Sequence, residues 1–238
     1  MSTEQESARA DTASGYEVRW QPHNVKRQTM ILQAALELLE EDADRSMQQV
    51  AKRAGLAKSV VYRQFDGRDD LDRRLRSHLI NDFAATITTN LDISSGSIEE
   101  ILHRTIDSVA EWLSEHPRQG EFARTGPTHD APGIDAVTNL KLRVSQQARE
   151  LLATLGLAIG IDAAQFSSVP FAVVTMVEGT LREWVRDPAP EKSRAEIVGD
   201  LALYSWYVLD GAVRSAGLVI DPRQELIAVV AQLSTGQS

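Results

Sequence analysis

Between Ser46 and Leu71 the chain reads SMQQVAKRAGLAKSVVYRQFDGRDDL, and the residue types there suit contact with a polyanion. Lys58, Ser59, Tyr62, Arg63 and Gln64 are donors or small polar groups on one face of a short helix, whose opposite face can be anchored by Val61 and Phe65, four residues apart. Donors so arranged reach phosphates and base edges when a helix lies in the major groove of DNA. Val60 offers apolar contact to a thymine methyl, while Ser46, Arg63 and Arg68 suit phosphates. Other chemistry finds little support. The five histidines, His23, His78, His103, His116 and His129, never pair at the spacing that places two metal ligands on one helix face. With no cysteine there is no thiolate site or disulfide, and neither a G-x-S-x-G elbow nor a glycine-rich phosphate loop occurs. No catalytic residue, metal or cofactor is expected.

The elements that must hold those donors are legible on either side of them. Ser46 and Gln49 have the spacing of a capping box, so a helix begins near Met47, with Val50, Ala51 and Ala54 as its apolar stripe. Gly55 sits where a left-handed residue closes such a helix, and Leu56-Ala57 leads into the second helix, Lys58 to Phe65. Ahead of them, Met30, Ile31, Ala34, Ala35, Leu38 and Leu39 give a first helix from about Lys26 to Glu41 a broad apolar face for the two short helices.

Read in that order, A-K-R-A-G-L-A-K-S-V-V-Y-R-Q-F-D-G-R-D-D-L resembles the signature of the tetracycline-repressor (TetR) family of transcriptional regulators. Ala51, Ala54, Gly55, Val61, Tyr62, Phe65 and Leu71 stand at the recurrent positions, and Arg68 replaces the usual lysine. Ala57 stands where a serine commonly caps the recognition helix, a deficit of about 1 kcal/mol. Val60 stands where a polar residue often meets DNA. The resemblance covers about a fifth of the chain. It implies an all-α protein with a flexible arm over residues 1–25, a three-helix DNA-binding domain over 26–72, and a helical effector-binding and dimerisation domain over 73–238. It further implies a homodimer on double-stranded operator DNA, with repression released when a small effector tilts the fourth helix. The rivals are an effector-independent dimer that binds DNA constitutively or recruits a protein, and a ligand-binding protein whose helix-turn-helix is vestigial.

A net charge of −9 looks adverse to DNA binding until it is divided. Residues 19–76 carry twelve Lys and Arg against nine acids, and residues 77–238 carry twelve against twenty-one. A basic head on an acidic body fits a DNA-binding domain joined to something that does not touch DNA. Hydrophobic residues at 42% and charged residues at 25% describe a globular chain, no run approaches the roughly 20 apolar residues of a membrane helix, and a cytoplasmic location is the default.

Residues 1 to about 18 are expected to be disordered, with Arg19, Lys26 and Arg27 as charges of an arm. Leu71, Leu75, Leu79 and Phe83 predict a long fourth helix through Asn90. A fifth runs from Ile98 to His116-Pro117, and 118–133 reads as a short helix around Phe122 inside a mobile loop of the kind that gates ligand entry. Further helices are predicted over 135–157, 162–186, where Pro170 either kinks the helix or marks its true start, and 193–216, with a last one capped by Asp221-Pro222. Helices near 162–187 and 193–216 are expected to form the dimer interface, since the latter is apolar nearly all round. A partly apolar ligand is assigned to Trp112, Phe122, Leu140, Arg143, Val144, Phe171, Thr175 and Glu178.

Overall fold

Apolar residues three and four apart, Ile31, Ala34, Ala35 and Leu38, become the buried face of the first helix, α1, over residues 24–40. The structure, a computed structural model, describes residues 24–235; most of the expected arm, with Arg19 in it, lies outside them. The chain divides into two units between His78 and Leu79, six residues beyond the boundary drawn from the sequence.

In the first unit, α1 is followed by α2 (Met47–Arg53), α3 (Lys58–Gln64) and the start of α4 (Gly67–Asn90). Two chain reversals share one hydrogen-bond pattern. After α2, Leu56 N–H donates to Ala51 C=O (2.9 Å) and Gly55 N–H to Lys52 C=O (3.2 Å). After α1, Ala43 N–H donates to Leu38 C=O (2.9 Å) and Asp42 N–H to Leu39 C=O (3.2 Å). Each needs a left-handed residue at its hinge, supplied by Gly55 at φ 66° and by Asp42 at φ 55°. Buried side chains from every element, Ile31, Val50, Val61, Phe65, Leu71 and Leu75 among them, make up this unit's interior.

The second unit contains the rest of α4, α5 (Ile98–Glu115), α6 (Pro117–Arg124), α7 (Ala136–Ala158), a turn of 3-10 helix (Ala163–Phe166), α8 (Val169–Arg186), α9 (Arg194–Ser215) and α10 (Leu226–Thr235). Two apolar clusters organise it. One joins Ile80, Phe83 and Ile87 of α4 to Leu140 and Val144 of α7; the other joins Ile106 and Leu113 of α5 to Val177 and Leu181 of α8 and Val198 and Leu201 of α9. Serine caps with reciprocal glutamates, Ser97 with Glu100 and Ser193 with Glu196, start α5 and α9. Arg104 donates to the carbonyls of Asn90 (2.8 Å), Ser95 (3.3 Å) and Asp92, closing the end of α4 onto α5. Gly156 permits a close approach, since a Cβ there would sit 2.8 Å from the Ile161 carbonyl oxygen.

Three expectations are corrected. The segment 125–135, expected to be loose, is tied down by side chains: Thr128 is buried, its hydroxyl accepts from Ala131 N–H and the Asn139 amide, and Ala136 N–H donates to Gly126 C=O. The helix predicted from 162 begins at Val169, because Pro170 lacks an N–H and fits only the first turn. Asp221 caps a turn at Arg223 N–H and does not start α10, which begins at Leu226.

Because nothing lies within 4 Å of a Cβ built on Gly55, its glycine is required by backbone conformation alone. Gly55→Ala is expected to lower unfolding stability by about 1–2 kcal/mol without disturbing packing, the cost of a left-handed alanine; denaturant titration measures it.

Candidate nucleic-acid interface and effector cavity

With seven residues and no side-chain cap at Ala57, α3 takes its position from Val61 and Phe65, which are 0% and 1% exposed. Its opposite side is Lys58, Ser59, Tyr62 and Arg63, all exposed. Lys58 Nζ stands 5.6 Å from the centre of the Tyr62 ring, one turn on, a cation–π contact that aligns two candidate DNA groups. Among the described residues neither Lys58 nor Arg63 forms an ion pair, so both charges are available to a phosphate. Val60 is half-buried beside them.

The remaining candidates are partly engaged. Ser46 Oγ accepts from Gln49 N–H at 3.4 Å, as a cap should, but the reciprocal partner of Ser46 N–H is Asp44 Oδ1 at 3.0 Å and not Gln49. Gln64 Nε2 donates to Asn24 Oδ1 (3.4 Å). Arg68, expected to reach a phosphate, is turned inward: its Nε donates to Asp72 (2.9 Å) and it also donates to the Arg45 carbonyl. The reason is local. Asp72 faces both Arg68 and Arg45, at 2.9 and 3.7 Å, so the cations are held to α4. Burial pushes the Arg45 and Arg76 guanidiniums down from their ordinary value, while Asp72 works the other way.

A second network fixes the α3–α4 junction. Buried Asp70 accepts from Asp66 N–H (3.1 Å) and from Arg74 Nε (3.0 Å), and Arg74 lies 5.5 Å from the Phe65 ring centre. Arg53 grips Glu41 (2.6 Å) and Glu37 (3.4 Å), and the hydrogen bond to Glu41 raises its affinity for its proton. That cation therefore belongs to the α1–α2 packing.

Within the second unit lies a cavity of about 320 Å³, inside the range of small-molecule sites. Its wall comes from α4, α5, α7, α8, α9, α10 and the 3-10 turn, and is aliphatic apart from Phe83, Phe166, Trp206 and the polar Thr105, Lys141, Glu178 and Ser205. Glu178 is held by Arg124 at 3.1 Å and by Lys141 at 3.6 Å. Burial lowers the Arg124 pKa and Glu178 opposes that. Among the described residues no group of three or more potential ligands could hold a metal.

Of the eight ligand candidates, Leu140, Val144 and Glu178 line this space. Trp112 stands one layer behind, stacked on the wall residue Phe83 at 4.3 Å, and Phe122 is buried away from the lining. Arg143 is exposed and donates to Asn81 (2.7 Å). Phe171 and Thr175 occupy the outer side of α8. The sequence reading missed the contributions of α4 and α10, and it missed Lys141 and Ser205, because neither residue breaks an apolar period in a way that marks a cavity. On α9, Leu203, Tyr204, Tyr207 and Val208 remain exposed, Tyr207 by 59%, leaving an apolar outer stripe.

Comparison with known proteins agrees with this geometry. Residues 31–75 match the model of the bacterial regulatory proteins of the tetR family, a span from the middle of α1 to the first turns of α4. An uncharacterized HTH-type transcriptional regulator of Mycobacterium tuberculosis is 22% identical over 217 residues, 89% of each chain. A tetR-family transcriptional regulator from Streptomyces coelicolor superposes with a TM-score of 0.61 at 20% identity, over 88% of this chain and 89% of that one. The fatty acid degradation regulator FadR from Bacillus halodurans does so at 0.54 and 15%, over 74% and 96%. At such identities the structures speak for the fold. Taken with the Gly55 turn and the anchored α3, the matched segment shows a DNA-binding helix-turn-helix of the tetR-family kind over residues 31–75, in a chain whose fold is shared with solved transcriptional regulators.

Proposed function

We propose that this regulator is a homodimeric repressor, acting in the cytoplasm without catalytic chemistry of its own, that leaves its operator when a small molecule enters the cavity of the second unit. The observation that carries the DNA side is α3, whose Lys58, Ser59, Tyr62 and Arg63 stand exposed while Val61 and Phe65 lock its orientation. Two such helices presented by a two-fold dimer meet half-sites about one helical turn apart, so the operator is a palindrome. Lys58, Ser59, Val60, Tyr62 and Gln64 are assigned to the groove, and Ser46 and Arg63 to phosphates. Arg68 is assigned to holding α4 in place.

The outer stripe of α9 with Phe171 of α8 supports the dimer reading: exposed aromatic and aliphatic residues at 204, 207 and 208 fall on one side of a helix. For the effector, α4 supplies Phe83, Ile87 and Leu91 to the cavity wall, and its first turns hold the end of α3 through Asp70. Occupancy that shifts α4 therefore has a route to α3, which makes this helix the lever.

Tyr62→Ala and Lys58→Ala are each expected to weaken operator binding by about 1–3 kcal/mol in a gel shift, with the unfolding midpoint of the protein unchanged. Undiminished affinity in both would remove α3 from the interface. With two cations per head, Lys58 and Arg63, lying against the duplex, affinity should fall about a hundredfold between roughly 50 and 200 mM salt; a flat profile would contradict an interface led by these charges. Tyr207→Glu places a charge in the stripe, and sedimentation should then show monomers that have lost the operator, whereas an intact dimer would move the interface elsewhere.

A further inference from the structure

The polar groups in the cavity wall are not equally satisfied. Thr105 donates to the Ile101 carbonyl (2.7 Å), and Glu178 receives Arg124 (3.1 Å), with Arg182 at 4.0 Å. Lys141 is different: its side chain is 18% exposed, its polar neighbour is Glu178 at 3.6 Å, and it makes no hydrogen bond among the described residues. An ammonium carries three donors, and burying them unmet is costly. Ser205 is wholly buried, and its Oγ has no partner among the described residues. Arg124, Lys141 and Arg182 share Glu178, but Arg124 and Arg182 are already drawn closer to it or to Glu183, whereas the Lys141 ammonium keeps no hydrogen-bonded acceptor.

These groups gather at one end of the space. Val177, next to Glu178, packs with Leu201 and Ala202, one turn before Ser205, while Lys141 follows Leu140 on α7. From there the wall is aliphatic through Leu155, Leu218 and Leu233. Its α7 residues run from Leu140 to Gly156, about 24 Å of helix. A wall reaching along that length suits the extended alkyl chain of a single linear molecule.

We infer that the effector is a long-chain carboxylic acid, its alkyl chain along the aliphatic wall and its carboxylate accepting from Lys141 Nζ and Ser205 Oγ. The inference rests on reading this cavity as the effector site. A carboxylate answers both unmet donors at once; an ester or thioester of the same chain has an acceptor for Ser205 but no charge for Lys141, and an alkane answers neither.

The test titrates the full-length protein with saturated acids of increasing length, and with the alcohol and methyl ester of the same chain, following tryptophan fluorescence, since Trp206 lines the wall. Affinity should rise about fourfold per methylene until the cavity is filled, and the acid should exceed the alcohol by about 10- to 100-fold. Lys141→Met should erase that preference and Lys141→Arg should keep it. Ser205→Ala should weaken the acid and raise the melting temperature of the free protein, because an unmet buried hydroxyl is removed. That opposition of signs separates a ligand contact from a folding defect. Equal binding of acid and alcohol, or a Lys141→Met protein that still prefers the acid, would overturn the assignment. If acids bind in this pattern while the operator complex persists, the ligand class stands and the effector reading falls. If a neutral chain binds and releases operator DNA while acids do not, the effector reading stands and the carboxylate falls. No binding by any of them removes both.

Discussion

A helix of two turns has no stability of its own in water, because nucleation costs more than so few hydrogen bonds return. α3 is seven residues long, and its first turn lacks a capping side chain, so its direction is imposed from outside. Burial of Val61 and Phe65, each contributing about 1.5–3 kcal/mol, sets which side faces inward and hence that Lys58, Tyr62 and Arg63 face out. The rest of the first unit follows from that dependence. The left-handed Gly55 fixes where α2 ends, and the Asp70 carboxylate stitches the chain after Phe65 to the first turns of α4. Arg74 covers the Phe65 ring from the solvent side. Cations that look alike in sequence thus divide by partner: those facing an acid, Arg45, Arg53, Arg68 and Arg74, maintain the scaffold, and those without one are free to meet a polyanion.

The second unit faces the opposite constraint, which is to fold around space. By the cost of voids in cores, an empty 320 Å³ would forgo on the order of several kcal/mol, a large share of the 5–15 kcal/mol typical of a domain. Its helix ends are secured accordingly. Reciprocal serine–glutamate caps start α5 and α9, Asp135 caps α7, and Arg104 gathers three carbonyls where α4 stops. None of these contacts lies in the cavity, so rigidity at the ends is compatible with an interior that waits for a ligand. An occupant then stabilises the unit by mass action as well as by contact.

What could be read from the sequence followed from where the information is local. The four-residue interval between Val61 and Phe65, the glycine at 55 and the serine at 46 each determine a feature within one turn of themselves, and the structure shows the buried pair, the left-handed turn and the Ser46 cap on Gln49 N–H. Pro170 marked a helix start only once its missing N–H was weighed against the apolar period that runs through it. The partners of Arg68, Asp72 and the Arg45 carbonyl, could not be read from the sequence because they are set by tertiary folding. The cavity was illegible for a deeper reason. α7, α8 and α9 carry apolar residues on more than one side, and periodicity reports that a side is buried without telling whether it meets another helix, a void or a second chain. Phe171 and Thr175 were therefore placed inside when they lie outside. Thr128 shows the same limit from the polar direction, since a stretch rich in Gly and Pro reads as mobile until the threonine's two hydrogen bonds are seen.

The acidity of the whole chain, −9, is compatible with an anionic partner once range is considered. At physiological ionic strength charges separated by more than about 8 Å are largely screened, so a phosphate senses the side chains it touches and little of the chain's total. On α3 those side chains are Lys58 and Arg63, with no carboxylate on the helix itself. A strongly basic chain would gain affinity for every duplex, because phosphate contacts carry no sequence information. Setting the exposed cations Lys58 and Arg63 on one short helix, and pairing many of the others with acids nearby, keeps the non-specific part of binding small. In the proposed complex it is base contacts from Tyr62 and its neighbours that would decide where the protein rests, and an acidic remainder adds selectivity at no cost to the contact itself.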